Sequence, residues 1–324
     1  MSAIAGSEDP IKVLITLHPG FDLLDFAGPL EVLSHTKQDI NDPESNAFDV
    51  TIASVTDELK VFSNQGAVIE ANISRKEVLE TLNDYEILIV PGGGTAKEID
   101  LKAIHLNPPP QVAIIKAFAD LQKTEVEQAE DEQTDLKRER TLMSVCTGSL
   151  FLAQAGVLQG LYATTHPDHD VQLEMICQHA SAHDTQNRTE VITGCRYVVN
   201  NARFDIPDED EEPEANPFIQ SYDQFILSKK ERRKSSARRG SVSHKLAMLA
   251  ESVGTKSEKR LGGLRVITAG GVMSGIDAAL YVSSAYVSVE AAEESARIMQ
   301  HFDWQKGVVV DSVDFEKVTT SDMY

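Results

Sequence analysis

Short runs of β-branched and aliphatic residues recur along this chain, each parted from the next by a stretch with helical spacing. Strands that are apolar along their whole length have both faces buried. The alternation therefore predicts an α/β fold, a mainly parallel sheet with helices on both faces. The expected strands are 11–17, 48–55, 86–90, 141–145, 162–165 and 264–269, with 190–199 as strand or hairpin. The expected helices are 25–35, 74–82, 111–121 and 148–155, then a long helical region after Gly270-Gly271 to about His301. Ser74 with Glu77 three residues on forms a capping box. No internal repeat is present.

Three segments break the pattern. Residues 124–140 are a charged run that could extend the preceding helix but reads as a solvated insertion. Residues 205–215 are acidic and 229–239 basic. The stretch from about 205 to 260 therefore reads as a disordered or loosely helical insertion. The expected organisation is a disordered lead over 1–10, one domain over 11–310 with insertions near 122–140 and 205–260, and a tail over 311–324. Without the insertions roughly 250 residues remain, a size for one compact domain.

The formal net charge of −21 argues against nucleic-acid or membrane partners bound through overall charge. No apolar run approaches the roughly 20 residues of a membrane helix, and the first residues lack the features of a secretory signal. Three cysteines, an odd number, point to a reducing, cytoplasmic setting rather than a disulfide framework.

The strongest chemical signal is S-V-C-T-G over 144–148. An apolar strand stops at Cys146 and a Thr-Gly pair opens a helix, the logic of a nucleophile elbow. The helix N-terminus would favour thiolate, and the N–H groups of Thr147 and Gly148 would face developing negative charge. The alternative is a buried cysteine packing as a small apolar residue. P-G-G-G over 91–94 follows a strand, and the backbone N–H groups of Gly93 and Gly94 would suit an oxyanion hole; the alternative is a plain tight turn. Asp25, in L-L-D-F-A-G-P, lies where ligands gather in open parallel sheets. Desolvated there, its carboxyl would have a raised pKa and act as general acid or base; the alternative is a helix N-cap.

Four stretches, L-D-F-A-G-P-L-E-V (24–32), I-V-P-G-G-G-T (89–95), S-V-C-T-G-S-L-F-L-A-Q-A-G-V-L-Q-G (144–160) with A-T-T-H (163–166), and V-I-T-A-G-G-V-M-S-G-I-D-A-A-L (266–280), give the chain a resemblance to the ThiJ/PfpI superfamily. Within that class I glutamine-amidotransferase-like group it looks most like the isonitrile (isocyanide) hydratases. The resemblance implies a flavodoxin-like or amidotransferase-like sandwich and a homodimer. It implies Cys146 as nucleophile, Asp25 as its acidic partner and Thr147 beside them. It also implies an isonitrile substrate hydrated to an N-substituted formamide, with no metal or organic cofactor. Thr147 stands where the protease-like branch has histidine, which argues against peptidase activity. About 20 residues follow Trp304, so a helix-turn-helix domain is not expected there. Other branches suggest a glyoxalase-like or deglycase-like enzyme acting on reactive carbonyls. A non-enzymatic redox sensor using Cys146 is the third reading.

His166 could line the pocket. H-P-D-H-D (166–170) is expected to start a helix rather than bind metal. Cys177 and Cys195 are expected in a helix and a strand as core residues, and Asp277 is expected to be structural. R-R-K-S and R-R-G-S make Ser235 and Ser241 candidate phosphorylation sites, since arginines just upstream suit a basophilic kinase.

Overall fold

The computed structural model describes residues 9–94, 99, 108–132, 139–180, 188–200, 216–234 and 261–310, without the side chains of 129–132 and 230–234. Residues 1–8 of the expected lead 1–10, the tail 311–324, the acidic run 205–215, residues 235–239 of the basic run, Ser235 and Ser241 lie outside the described residues.

The elements in order are β1 (Ile11–Leu17), α1 (Leu23–His35), β2 (Phe48–Ser54), β3 (Lys60–Phe62), β4 (Val68–Glu70), α2 (Arg75–Thr81), β5 (Ile87–Val90), α3 (Pro110–Glu132), β6 (Thr141–Val145), α4 (Gly148–Gln154), β7 (Tyr162–Ala163), α5 (Asp170–Ala180), β8 (Glu190–Val191), β9 (Tyr197–Asn200), β10 (Ile219–Ser221), α6 (Tyr222–Lys234), β11 (Arg265–Ala269), α7 (Val272–Tyr286), α8 (Val289–Ile298) and β12 (Gly307–Val309). One sheet has the order β10-β12-β9-β11-β6-β5-β1-β2. Strands β2, β1, β5, β6 and β11 are mutually parallel. β9 turns antiparallel against β11, and β12 and β10 follow its direction. The central strands are buried on both faces, as their unbroken apolar sequences require. One face packs against α1, α7 and α8; the other packs against α2, α3, α4 and α5. The fold is thus the α/β sandwich that the alternation predicts.

Several local expectations are corrected. The charged run after 121 does not leave the fold at once: α3 continues to Glu132. Its Glu, Gln, Ala and Lys residues favour helix, Gln122 is fully buried and accepts from the Arg140 N–H at 2.7 Å, and Glu125 pairs with the buried Arg140. Part of the 205–260 region is integral structure, because β10 extends the sheet and α6 follows it. Phe218 and Phe225 are buried, and Tyr222 and Ile226 pack beside Phe225; this apolar spacing was hidden among charges. Residues 162–165 form a strand only over Tyr162–Ala163. Residues 190–199 split between two sheets at a turn where Gly194 has φ +66°. Cys195 sits in that turn, half-buried, rather than in a strand, whereas Cys177 lies buried in α5 as expected. The long helical region is interrupted at Ser288, whose hydroxyl accepts from Ala291 N–H and caps α8.

Candidate active site

Cys146 follows β6 directly and has φ +55°, the left-handed region that costs a non-glycine residue roughly 1–2 kcal/mol. Its N–H donates to Ala269 O at 3.0 Å, so pairing with β11 continues into the bend. Gly148 opens α4, and a Cβ there would meet Val90 O at 2.2 Å. The chain therefore makes a sharp strand-to-helix elbow with cysteine at its apex, the strained geometry that lifts a nucleophile from a sheet edge. Cys146 is 9% exposed.

Asp25 comes to this apex from α1. Asp22, not Asp25, is the N-cap, accepting from Leu24 N–H at 3.1 Å. Asp25 is left inside the first turn and fully buried. Its Oδ2 accepts from Gly92 N–H at 3.1 Å. Oδ1 is buried and has no partner of hydrogen-bond geometry, yet the Cys146 thiol is close enough to act on this carboxyl. Oδ1 is thus the carboxyl oxygen that the glycine turn leaves unengaged.

The glycine turn holds these parts together rather than offering an empty anion hole. Gly92 N–H serves Asp25, Gly93 N–H donates to Thr147 Oγ1 at 3.0 Å, and Gly94 N–H donates to Gly20 O at 2.8 Å. The expectation that Gly93 and Gly94 present unengaged donors is corrected, because the turn must satisfy its own buried amides. Gly92 has no room for a side chain: a Cβ would lie 2.6 Å from Thr147 N, 2.7 Å from Thr147 Oγ1 and 2.8 Å from Gly148 N. Thr147, also buried, returns a hydroxyl hydrogen bond to Gly93 O at 3.3 Å. Its backbone N–H lowers the Cys146 thiol pKa against the effect of burial.

His166 is not joined to the sulfur by any hydrogen bond. Its Nδ1 accepts from Asp168 N–H at 3.2 Å, which caps the 3₁₀ turn Pro167–His169, and its ring lies against His169. Its neighbour Thr165 makes the contact instead, donating from Oγ1 to Cys146 O at 3.1 Å; Ser149 Oγ donates to the same oxygen at 3.1 Å. The sequence reading missed both hydroxyls, and it missed His18. That residue follows β1, is buried, and sets Nε2 3.2 Å from Gly92 O and its ring edge-on to Phe151. Its place at the carboxyl end of a parallel strand was a usable signal.

Burial dominates the electrostatics. Asp25 is pushed up from 3.8 to about 7, first by desolvation and then by the nearby Asp22 carboxylate. Desolvation, then the charge of Asp25, pushes the Cys146 thiol up to about 12. The expected preference for thiolate is overturned: one short helix terminus does not offset the loss of water around sulfur. Near neutral pH the thiol keeps its proton, and Asp25 is poised between acid and base. Burial holds His18 below the ordinary imidazole value, so it is neutral.

Asp277 lies inside α7 rather than at its start, and its partners, not the helix terminus, hold it. It is buried in α7, accepts from Arg196 Nε at 2.7 Å, meets His301 Nε2 at 2.7 Å and accepts from Gln305 N–H. Among the described residues no group of three or more His, Cys, Asp or Glu could hold a metal ion. None of their helices is long and apolar enough to cross a membrane.

No protein-family model matches the chain. Over 171 residues, 52% of this chain and 96% of the relative, it is 29% identical to an uncharacterized protein in the cpoL 5' region of Streptomyces lividans. Among solved structures, DJ-1beta of Drosophila melanogaster is 14% identical, with 90% of this chain and 98% of that chain covered and a TM-score of 0.48. A ThiJ/PfpI family protein from Pseudomonas syringae is 16% identical, with 91% and 76% covered and a TM-score of 0.47. Schizosaccharomyces pombe DJ-1 is 14% identical, with 89% and 98% covered and a TM-score of 0.48. At these values neither identity nor superposition carries chemistry across, and the fold rests on the strand order and pairing above.

Proposed function

We propose that this protein is a cofactor-independent hydratase of the ThiJ/PfpI type that converts an isonitrile, R–N≡C, and water to an N-substituted formamide. The observation that carries the reading is a thiol on a strained elbow facing one half-ionised, buried carboxyl. The charged neighbours acting on the sulfur are the carboxyls of Asp25 and Asp22. Amide hydrolysis must protonate a departing amine, whereas isonitrile hydration expels nothing in its first step. It needs only one proton moved from sulfur to carbon.

Asp25 as carboxylate takes the thiol proton while Sγ bonds to the terminal isonitrile carbon, and the resulting acid delivers that proton to the same carbon. The product is the thioimidate R–N=CH–S–Cys146. Asp25, again a carboxylate, then takes a proton from water as the oxygen adds to this carbon, and the proton passes to nitrogen. Cleavage of the C–S bond releases R–NH–CHO, and the hydroxyl proton returns to sulfur through Asp25. The cycle consumes one water and restores the thiol, with one carboxyl serving as base and acid in turn. A buried site suits a neutral, rod-shaped substrate, because no substrate charge has to be desolvated. The raised thiol speaks against peroxide sensing, which requires thiolate.

The test is incubation of purified protein with an alkyl and an aryl isonitrile, following loss of the N≡C stretch and appearance of formamide. Cys146→Ala should abolish turnover, and Asp25→Asn should lower kcat by about 10²–10⁴-fold. Isonitrile left intact by the wild-type protein refutes the reading.

A further inference from the structure

Cys146 O and the Thr147 N–H belong to one peptide group, and what holds one end aims the other. Described peptide bonds are trans, so this carbonyl and N–H point in opposite directions within one plane. At the carbonyl end, two side-chain hydroxyls donate to Cys146 O, Ser149 Oγ and Thr165 Oγ1, each at 3.1 Å. At the other end, the N–H acts on the Cys146 sulfur in the sense that favours thiolate. We propose that Thr165 and Ser149 are positioning residues that lock the Cys146–Thr147 peptide plane, so that its N–H stays on the sulfur while negative charge develops there.

Thr165 reaches the elbow from outside it, and Ser149 from the helix that the elbow opens. Thr165 is buried, and its segment is tied to β11 where Thr164 N–H donates to Thr268 Oγ1 at 2.9 Å. Ser149 is fully buried in α4. The clamp thus joins the sheet and the helix across a residue whose left-handed backbone could otherwise relax. Donation to the carbonyl also polarises the peptide and strengthens its N–H as a donor. The ionisable groups facing the sulfur, Asp25 from α1 and Asp22 before it, are carboxyls that work against thiolate. The peptide N–H is the group that favours it.

The inference rests on Cys146 as the reacting group, not on the identity of the substrate, and the assay needs no isonitrile. The rate of Cys146 alkylation by iodoacetamide is measured from pH 7 to 9.5 in a Cys177→Ala/Cys195→Ala background, with circular dichroism to follow folding. Because the thiol titrates far above this range, the rate tracks its thiolate fraction. Thr165→Val and Ser149→Ala should each slow alkylation by roughly 3- to 10-fold, while Thr165→Ser, which keeps the hydroxyl, should restore the wild-type rate. Each single variant leaves the other hydroxyl on the carbonyl; should Thr165→Val fail to fold, Ser149→Ala decides. Wild-type rates in the folded variants, or slowing that Thr165→Ser does not reverse, overturn the proposal. A normal alkylation pattern without isonitrile turnover would remove the substrate assignment and leave the clamp standing.

Discussion

Replacing Asp25 with asparagine should make the fold more stable, and increasingly so as pH rises. The carboxyl titrates near 3.8 in the unfolded chain and at about 7 in the folded one. A raised folded pKa means that folding favours the protonated form. Its contribution is therefore whole below the unfolded value, declines as pH rises through the interval, and levels off above the folded value. The full loss at pH 8 amounts to as much as about 4 kcal/mol, of which about 3 kcal/mol has gone by pH 6 and about 1.4 kcal/mol goes between pH 6 and pH 8. Asparagine keeps an oxygen for the Gly92 N–H and carries no titrating proton. His18, held low by burial, acts in the opposite sense below its unfolded value, but it is common to both proteins and cancels in the difference. The thiol is protonated in both states over most of this range. Urea unfolding of wild type and Asp25→Asn at pH 6, 7 and 8 measures the gap directly. Parallel pH dependence of the two midpoints, or a variant less stable than wild type at pH 8, refutes the reasoning, because the carboxyl would then not be buried as described.

Gly92→Ala forces a Cβ to within 2.6 Å of Thr147 N and 2.8 Å of Gly148 N, both backbone, and 2.7 Å of Thr147 Oγ1. Parting the turn from the elbow should cost about 2–5 kcal/mol from overpacking and weakened hydrogen bonds to Asp25 and Thr147, read as a lowered urea midpoint. Asp277→Ala strips the partner from Arg196 and His301. It should cost about 2–4 kcal/mol, below a fully buried pair because Arg196 is partly exposed; Asp277→Asn, which keeps an acceptor, should recover part of the lost midpoint.

Much of the scaffold was legible because its signals are local. An apolar strand announces itself by residue type, and β6 ends where Thr141–Val145 ends in the sequence. The elbow was readable from strand, cysteine, threonine and glycine in succession. The 216–234 region was not, since Phe218, Tyr222 and Phe225 are few among charges, and only their packing beside β9 and β12 distinguishes them from a solvated run. Asp22 and Asp25 are alike by composition, and choosing the capping residue required the helix start.

By itself the sequence determined the sheet's strands, the helices between them, and the apex on which Cys146 stands, because periodicity and turn chemistry act over a few residues. The tertiary structure alone decided the chemical state of that apex. Asp25 meets Gly92 across 67 residues, and Thr147 meets Gly93 across 54. These long-range closures consume the glycine amides, drive water from the thiol and the carboxyl, and raise both groups. Desolvation is a property of everything packed around an atom, and no local pattern encodes it.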